Sequence, residues 1–216
     1  MIPKVYICFM YIPTEFEFTD QKLILEFLQQ HPFGTLAVNG TEGFPVLVHI
    51  PFTCHFGPEK NYLEFHVASE NEIVAAIQTL SQGTLIVQGA HGYISSSVYT
   101  HTNVPTYNYQ AVHVSGKLET LDSSGLRNHL AQLVDTFEAK RENKLHINQW
   151  PANLIESYMN EIVGYCMELN QVEAAFKLSQ NRNEVDFQRI LDDLSTGNEE
   201  EKQLAEVMKQ TKCPIK

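Results

Sequence analysis

The sequence predicts an α+β chain: a small β-barrel with helices around it, followed by a helical C-terminal extension. Three observations carry this. Short runs rich in β-branched and aromatic residues, separated by Gly, Asn and Pro turns, recur between residues 33 and 120. Segments whose apolar residues return every three to four positions interrupt and follow them. From Asn183 to Gln210 that helical spacing continues at high charge density, with a break at Thr196-Gly197-Asn198. No repeat, low-complexity tract or Pro/Gly/Ser-rich linker divides the 216 residues, so a single domain is expected.

The first element is a helix in TDQKLILEFLQQH, with Thr19 as its expected N-cap and Leu23, Ile24, Phe27 and Leu28 as one stripe. FGTLAV and FPVLVHIPFTC read as two strands joined by a polar turn at Asn39-Gly40 and Glu42-Gly43. YLEFHVA is a third strand, with Leu63, Phe65 and Val67 on one face and Tyr62, Glu64 and His66 on the other. SENEIVAAIQTL reads as a short helix behind a serine cap, and GTLIVQGA as a fourth strand. YQAVHVSGKLETL is the fifth strand, reached through a long structured loop that begins at His91. SSGLRNHLAQLVDTFEAKRE is the clearest helix, with Leu126, Leu130, Leu133, Val134 and Phe137 in phase. PANLIESYMNEI is another helix, opened by Pro151. VGYCMELN is the sixth strand.

Charge narrows the partners. Fifteen Lys and Arg stand against 26 Asp and Glu, a net charge of −11, and the basic residues form no run. Holding a nucleic-acid backbone needs clustered cations, so direct DNA binding is disfavoured. Cys8, Cys54, Cys166 and Cys213 are widely spaced and form no CxxC pair, which points to reduced thiols and a cytoplasmic protein. The N-terminal apolar run lacks a cleavage site and is followed by Glu15 and Glu17, so no signal peptide is expected. No apolar stretch approaches the 18 residues a membrane span needs.

Several residues carry potential chemistry. His49, His66, His91 and His113 lie in or beside strands and could line a polar cleft, but no HxH, HxxxH or HExxH spacing marks a metal site, and none is expected. HVASEN places Ser69 and Asn71 at a strand-to-helix junction, where they either receive an anion or cap the helix. KLSQNR brings Lys177 and Arg182 together with three hydrogen-bonding side chains, a candidate anion site in an acidic chain. Tyr99, Tyr107 and Tyr109 offer faces for a planar ring or for packing. Walker A, GxSxG and GxGxxG motifs are absent, and no residue stands out as a general acid or base.

The segments MYIP, FGTL, HIPF, HVASEN, VQGAHGYISSSVY, NVPTYNYQAVHVSGK, IVGY and KLSQNR, in this order, closely resemble the PaiB family of FMN-binding, so-called negative transcriptional regulators. The resemblance extends from Met10 to about Met208. It implies an antiparallel six-stranded split β-barrel of the pyridoxamine-phosphate-oxidase type, with residues 10–182 as the FMN-binding domain and 183–216 as its helical extension. It also implies a homodimer with FMN in a cleft between subunits. The family usually carries Trp where Tyr107 stands and often at Val98. Residues Met1–Phe9 precede the usual MYIP start. The cofactor-binding residues expected are His49, His66, His91, Ser95, Ser96, Tyr107, Asn108 and Tyr109, with those of the stretch 91–116 serving the ring and the ribityl chain. Ser69, Asn71, Lys177 and Arg182 are expected at the phosphate. Flavin-dependent redox activity and repression of transcription are both compatible with the resemblance. Haem binding is the alternative, since some split barrels handle haem and the chain has nine histidines.

Overall fold

The computed structural model describes residues 10–211, so Cys8, Cys213 and the segment Met1–Phe9 lie outside the described residues. Its elements, in chain order, are α1 (Gln21–Gln30), β1 (Phe33–Asn39), β2 (Pro45–Pro51), β3 (Thr53–Phe56), β4 (Asn61–Ala68), α2 (Ile73–Leu80), β5 (Gln82–Ile94), β6 (Thr106–Thr120), α3 (Ser123–Glu138), α4 (Ala152–Met159), β7 (Ile162–Glu168), β8 (Gln171–Lys177), α5 (Glu184–Ser195) and α6 (Glu199–Thr211). The hydrogen-bonded strand order is β2-β1-β5-β6-β7-β4-β3, with β8 paired to β6. The α+β class and the antiparallel sheet are as expected. The strand count is eight rather than six.

Two differences produce the extra strands. FPVLVHIPFTC does not run through as one strand. The backbone turns at Phe52, whose N–H donates to Pro32 and whose ring is fully buried, so β2 ends at Pro51 and β3 begins at Thr53. The eighth strand, QVEAAFK, contains Glu173-Ala174-Ala175, residues of good helix propensity, and pairing with β6 overrides that preference. The long loop expected from His91 is shortened by strand at both ends. β5 continues to Ile94 and β6 starts at Thr106, leaving only residues 95–105 between them.

The chain forms two compact units. Residues 25–87 and 113–172 make up one, and residues 10–24, 88–112 and 173–211 the other. In the first, β1 and β2 pair from Phe33↔Pro51 to Asn39↔Pro45, across a turn in which Gly40 N–H donates to Phe44 and Gly43 adopts φ +86°, a conformation suited to glycine. On β4, Leu63, Phe65 and Val67 are buried while Tyr62, Glu64 and His66 are partly exposed, the alternation expected from the sequence. Each buried side chain of this size contributes about 1.5–3 kcal/mol. Gly116 sits where β6 passes the end of β7: a Cβ there would fall 1.8 Å from the Glu168 carbonyl oxygen.

Helix starts differ in detail from expectation. Asp20, not Thr19, caps α1, its carboxylate accepting from Leu23 N–H. Asn71, not Ser69, serves the start of α2, its side-chain oxygen accepting from Ile73 N–H. In the second unit, α5 and α6 are separate helices around the expected break at 196–198. They bury Phe187, Ile190, Leu194, Leu204 and Met208.

Candidate functional site

Four of the twelve expected site residues, His49, His66, Ser69 and Asn71, fall in the first unit. The other eight fall in the second.

In the second unit, period-two alternation sorts the residues of β6. Tyr107 and Tyr109 are exposed or half-buried on one face, and Asn108 and Gln110 are buried on the other. Tyr107 stacks with His91 at 5.8 Å, and its hydroxyl lies 3.2 Å from His91 Nδ1. Asn108 is fully buried and donates to Ser179 Oγ at 2.9 Å and to Met208 Sδ at 3.5 Å. Those contacts tie β6 to Ser179, which adopts φ +60° within KLSQNR, and to α6. Ser95 caps a single 3-10 turn at Ser96–Val98, its Oγ accepting from Ser97 N–H, and Ser96 is exposed. Val98 is buried.

The cation pair of KLSQNR is held differently at its two ends. Lys177 donates to Thr106 Oγ1 and lies 5.7 Å from the centre of the Phe16 ring. The Arg182 guanidinium lies 5.1 Å over the Tyr99 ring. Among the described residues, three buried side-chain atoms have no hydrogen-bond partner: Arg182 Nε, the Tyr99 hydroxyl and Gln110 Oε1, all in this unit. Buried polar groups are almost always paired, and leaving one unpaired costs about 1–3 kcal/mol. The first two can donate, and an anionic oxygen is one acceptor that would suit them. The residues present therefore fit the phosphate of a nucleotide flavin.

The neighbouring loop is pinned by a buried carboxylate. Asp186 accepts from Thr100 N–H at 2.8 Å, from Thr100 Oγ1 at 2.9 Å and from Asn183 Nδ2 at 2.8 Å, with His101 Nδ1 3.3 Å away. These bonds, the Thr100 N–H foremost, hold its carboxyl below the usual aspartate range.

In the first unit His49 is exposed, its Nδ1 2.9 Å from Thr35 Oγ1. The HVASEN junction has already used much of its donor capacity. Ser69 N–H donates to Glu161, Asn71 N–H to Ala68, and Val74 N–H to Asn71. The capping role is therefore visible at Asn71, and the Ser69 side chain stays exposed. His66 belongs to a cluster on β3, β4 and α3. Its Nδ1 lies 3.1 Å from Nε2 of the fully buried His129. His129 Nδ1 is 3.4 Å from Thr53 Oγ1, and His55 Nε2 is 3.1 Å from Glu64 Oε2. Burial pushes His129 down to about 3, helped by the nearby His66 and His55, and lowers His66 as well. Burial raises Glu64, against the pull of His55.

Sequence reasoning missed His129, Thr53 and Gln110. His129 follows Leu126 by one helical turn, on the apolar stripe of α3, and that placement was the available signal. Among the described residues no group of three or more His, Cys, Asp or Glu could hold a metal ion.

Residues 10–171 match the protein family described as "Putative FMN-binding domain". The chain is 36% identical over 200 residues to the protease synthase and sporulation protein PAI 2 of Bacillus subtilis, spanning 92% of this chain and 96% of that one. Among solved structures it is similar to the FAD and haem binding protein from Mycobacterium smegmatis, at 16% identity and TM-score 0.57, covering 74% of this chain and 73% of that one. It is likewise similar to the flavocytochrome Anf3 from Azotobacter vinelandii, at 15% identity and TM-score 0.56, covering 81% and 75%. At these identities the structural likenesses bear on the fold alone. The family match covers most of the chain, the Bacillus relative covers nearly all of it, and FMN is the cofactor the family match assigns. The chain therefore belongs to the PaiB family of FMN-binding split-barrel proteins.

Proposed function

We propose that this chain binds FMN as a homodimer in the cytoplasm and couples the flavin to a regulatory output without itself reading DNA. The observation that supports it best is the pair of unpaired buried donors, Arg182 Nε and the Tyr99 hydroxyl, in the unit that also holds Lys177. An acidic chain of net charge −11 needs local compensation to receive a dianionic phosphate, and these groups supply it. Bound FMN would supply one- or two-electron redox chemistry. The chain's own residues would bind and orient it. Arg182 and Lys177, which share one unit, are assigned to the phosphate. His91, Ser95, Ser96, Tyr107 and Tyr109 are assigned to the ribityl chain and ring system, with Asn108 holding β6 rather than touching the cofactor. Residues 10–182 are read as the FMN-binding domain and 183–216 as its extension. Exposed Tyr93, Val104 and Tyr107 offer apolar surface of the kind a second copy covers.

The Bacillus relative's name ties that protein to protease synthesis and sporulation. A repressing role is proposed for this chain, exerted through another macromolecule, because the acidic charge opposes a DNA backbone. Among the described residues no helix is long and apolar enough to cross a membrane.

The test is to purify the chain, record its visible spectrum, and identify by mass what is released on denaturation. Flavin bands and released FMN are expected. A Soret band with released haem would replace this reading with the haem alternative. Light scattering on the loaded protein at micromolar concentration should report a dimer, and a monomer would remove that part. A tight, sequence-dependent DNA shift surviving physiological salt would overturn the indirect role.

A further inference from the structure

Tyr99 and Arg182 come from two segments that share one carboxylate. Tyr99 lies in the 95–105 loop, and Arg182 stands just before α5. Thr100, the residue after Tyr99, donates to Asp186 Oδ1 through its N–H at 2.8 Å and through its hydroxyl at 2.9 Å. Asn183, the residue after Arg182, donates from Nδ2 to Asp186 Oδ2 at 2.8 Å, and its Oδ1 accepts from Asp186 N–H at 2.9 Å. A single side chain therefore bonds the residue that follows each member of the pair.

Asp186 is fully buried, so it cannot trade these donors for water without leaving its charge poorly solvated. The loop and the start of α5 are thus held in one register. That register seats the Arg182 guanidinium 5.1 Å over the Tyr99 ring. Arg182 is fixed from its other side as well. Its backbone N–H donates to the Ser179 carbonyl, and Ser179 Oγ accepts from Asn108 on β6. Every one of these contacts braces the chain around the pair, yet Arg182 Nε and the Tyr99 hydroxyl have no partner of their own. A braced surround with free groups at its centre is the pattern of a site organised in advance for a ligand.

We propose that Asp186 is a positioning residue for an oxyanion site: it holds Tyr99 against Arg182 so that the free groups of both serve the phosphate of FMN. This deepens the reading of Arg182 as a phosphate residue and rests on it for the ligand half.

The test uses the full chain, titrated with FMN and with riboflavin, in a cycle of Asp186→Asn, Arg182→Ala and the two together. Asp186→Asn keeps the shape but leaves one oxygen for the donors of two segments. It should weaken FMN roughly tenfold and riboflavin much less. In the Arg182→Ala background the same change should weaken FMN by about twofold at most, because the residue it positions is gone. Additive losses, or equal losses of both flavins, would overturn the positioning role. Amide hydrogen exchange without flavin reads the brace itself. The Thr100 N–H should be protected in the parent and exchange roughly tenfold faster in Asp186→Asn. An equal rate in the two would show that Asp186 does not hold the loop. If Asp186→Asn does not fold, Thr100→Val takes its place in the cycle, because it removes only the hydroxyl bond. Its expected loss of FMN affinity is about threefold, with Thr100→Ser close to the parent. Faster exchange at Thr100, together with an Arg182→Ala variant that binds both flavins as the parent does, would keep the brace and overturn the ligand half alone.

Discussion

Acidification should destabilise this fold through His129, and the size of the effect follows from burial. An unperturbed histidine titrates near 6.5. In the folded chain His129 is fully buried and is pushed down to about 3. The folded pKa lies below the unfolded one, so the unfolded chain binds the proton first and stability falls as pH falls from about 6.5 towards 3. At pH 7.5 neither state is protonated and the ring contributes almost nothing. At pH 5 protonation favours the unfolded chain by about 2 kcal/mol, while the folded ring is still neutral. Glu64 works in the opposite direction, because its raised pKa lets the folded state hold a proton more readily. His66 adds to the loss. A paired measurement separates them: urea unfolding of the parent and of His129→Gln, each at pH 7.5 and pH 5. The amide of Gln keeps a donor and an acceptor but does not titrate. Between the two pH values the parent should lose about 2 kcal/mol more than the variant, a midpoint difference on the order of 1 M urea. Equal losses would show that His129 accepts a proton within the folded structure, and the argument from its burial would fail.

Three other outcomes are expected. Arg182→Ala should weaken FMN by roughly tenfold to a hundredfold and riboflavin far less, since only FMN carries the phosphate; equal losses in parallel flavin titrations would make Arg182 a support of the fold. Gly116→Ala should destabilise by about 1–3 kcal/mol in chemical unfolding, because its Cβ would fall 1.8 Å from the Glu168 carbonyl oxygen; an unchanged midpoint would mean that β6 moves aside freely there. The Cys54 thiol, pushed up to about 12 by burial, should react with a disulfide reagent at pH 8 far more slowly in the folded chain than in urea, as mass mapping of the modified peptide would show.

Much of the architecture was legible because it follows from local periodicity. The alternation of β4, the stripe of α3 and the break between α5 and α6 each reflect residues that meet the same solvent boundary at regular spacing. The ordered motifs from MYIP to KLSQNR were enough to name the family and its cofactor. Local pattern failed where distant chain decided the outcome. QVEAAFK is a strand only because β6 offers it a ladder. FPVLVHIPFTC is two strands because Phe52 is drawn into the core and its N–H bonds Pro32. Asn108 carries no mark that distinguishes it from the exposed residues beside it, yet strand alternation turns it inward to Ser179 and Met208. The same holds for His129. Its row of partners comes from positions 53, 55, 64 and 66, and no spacing within the sequence announces them. Periodicity reports which face of an element is dry. Which polar groups meet on that dry face depends on separations of 60 residues or more that only the folded chain closes.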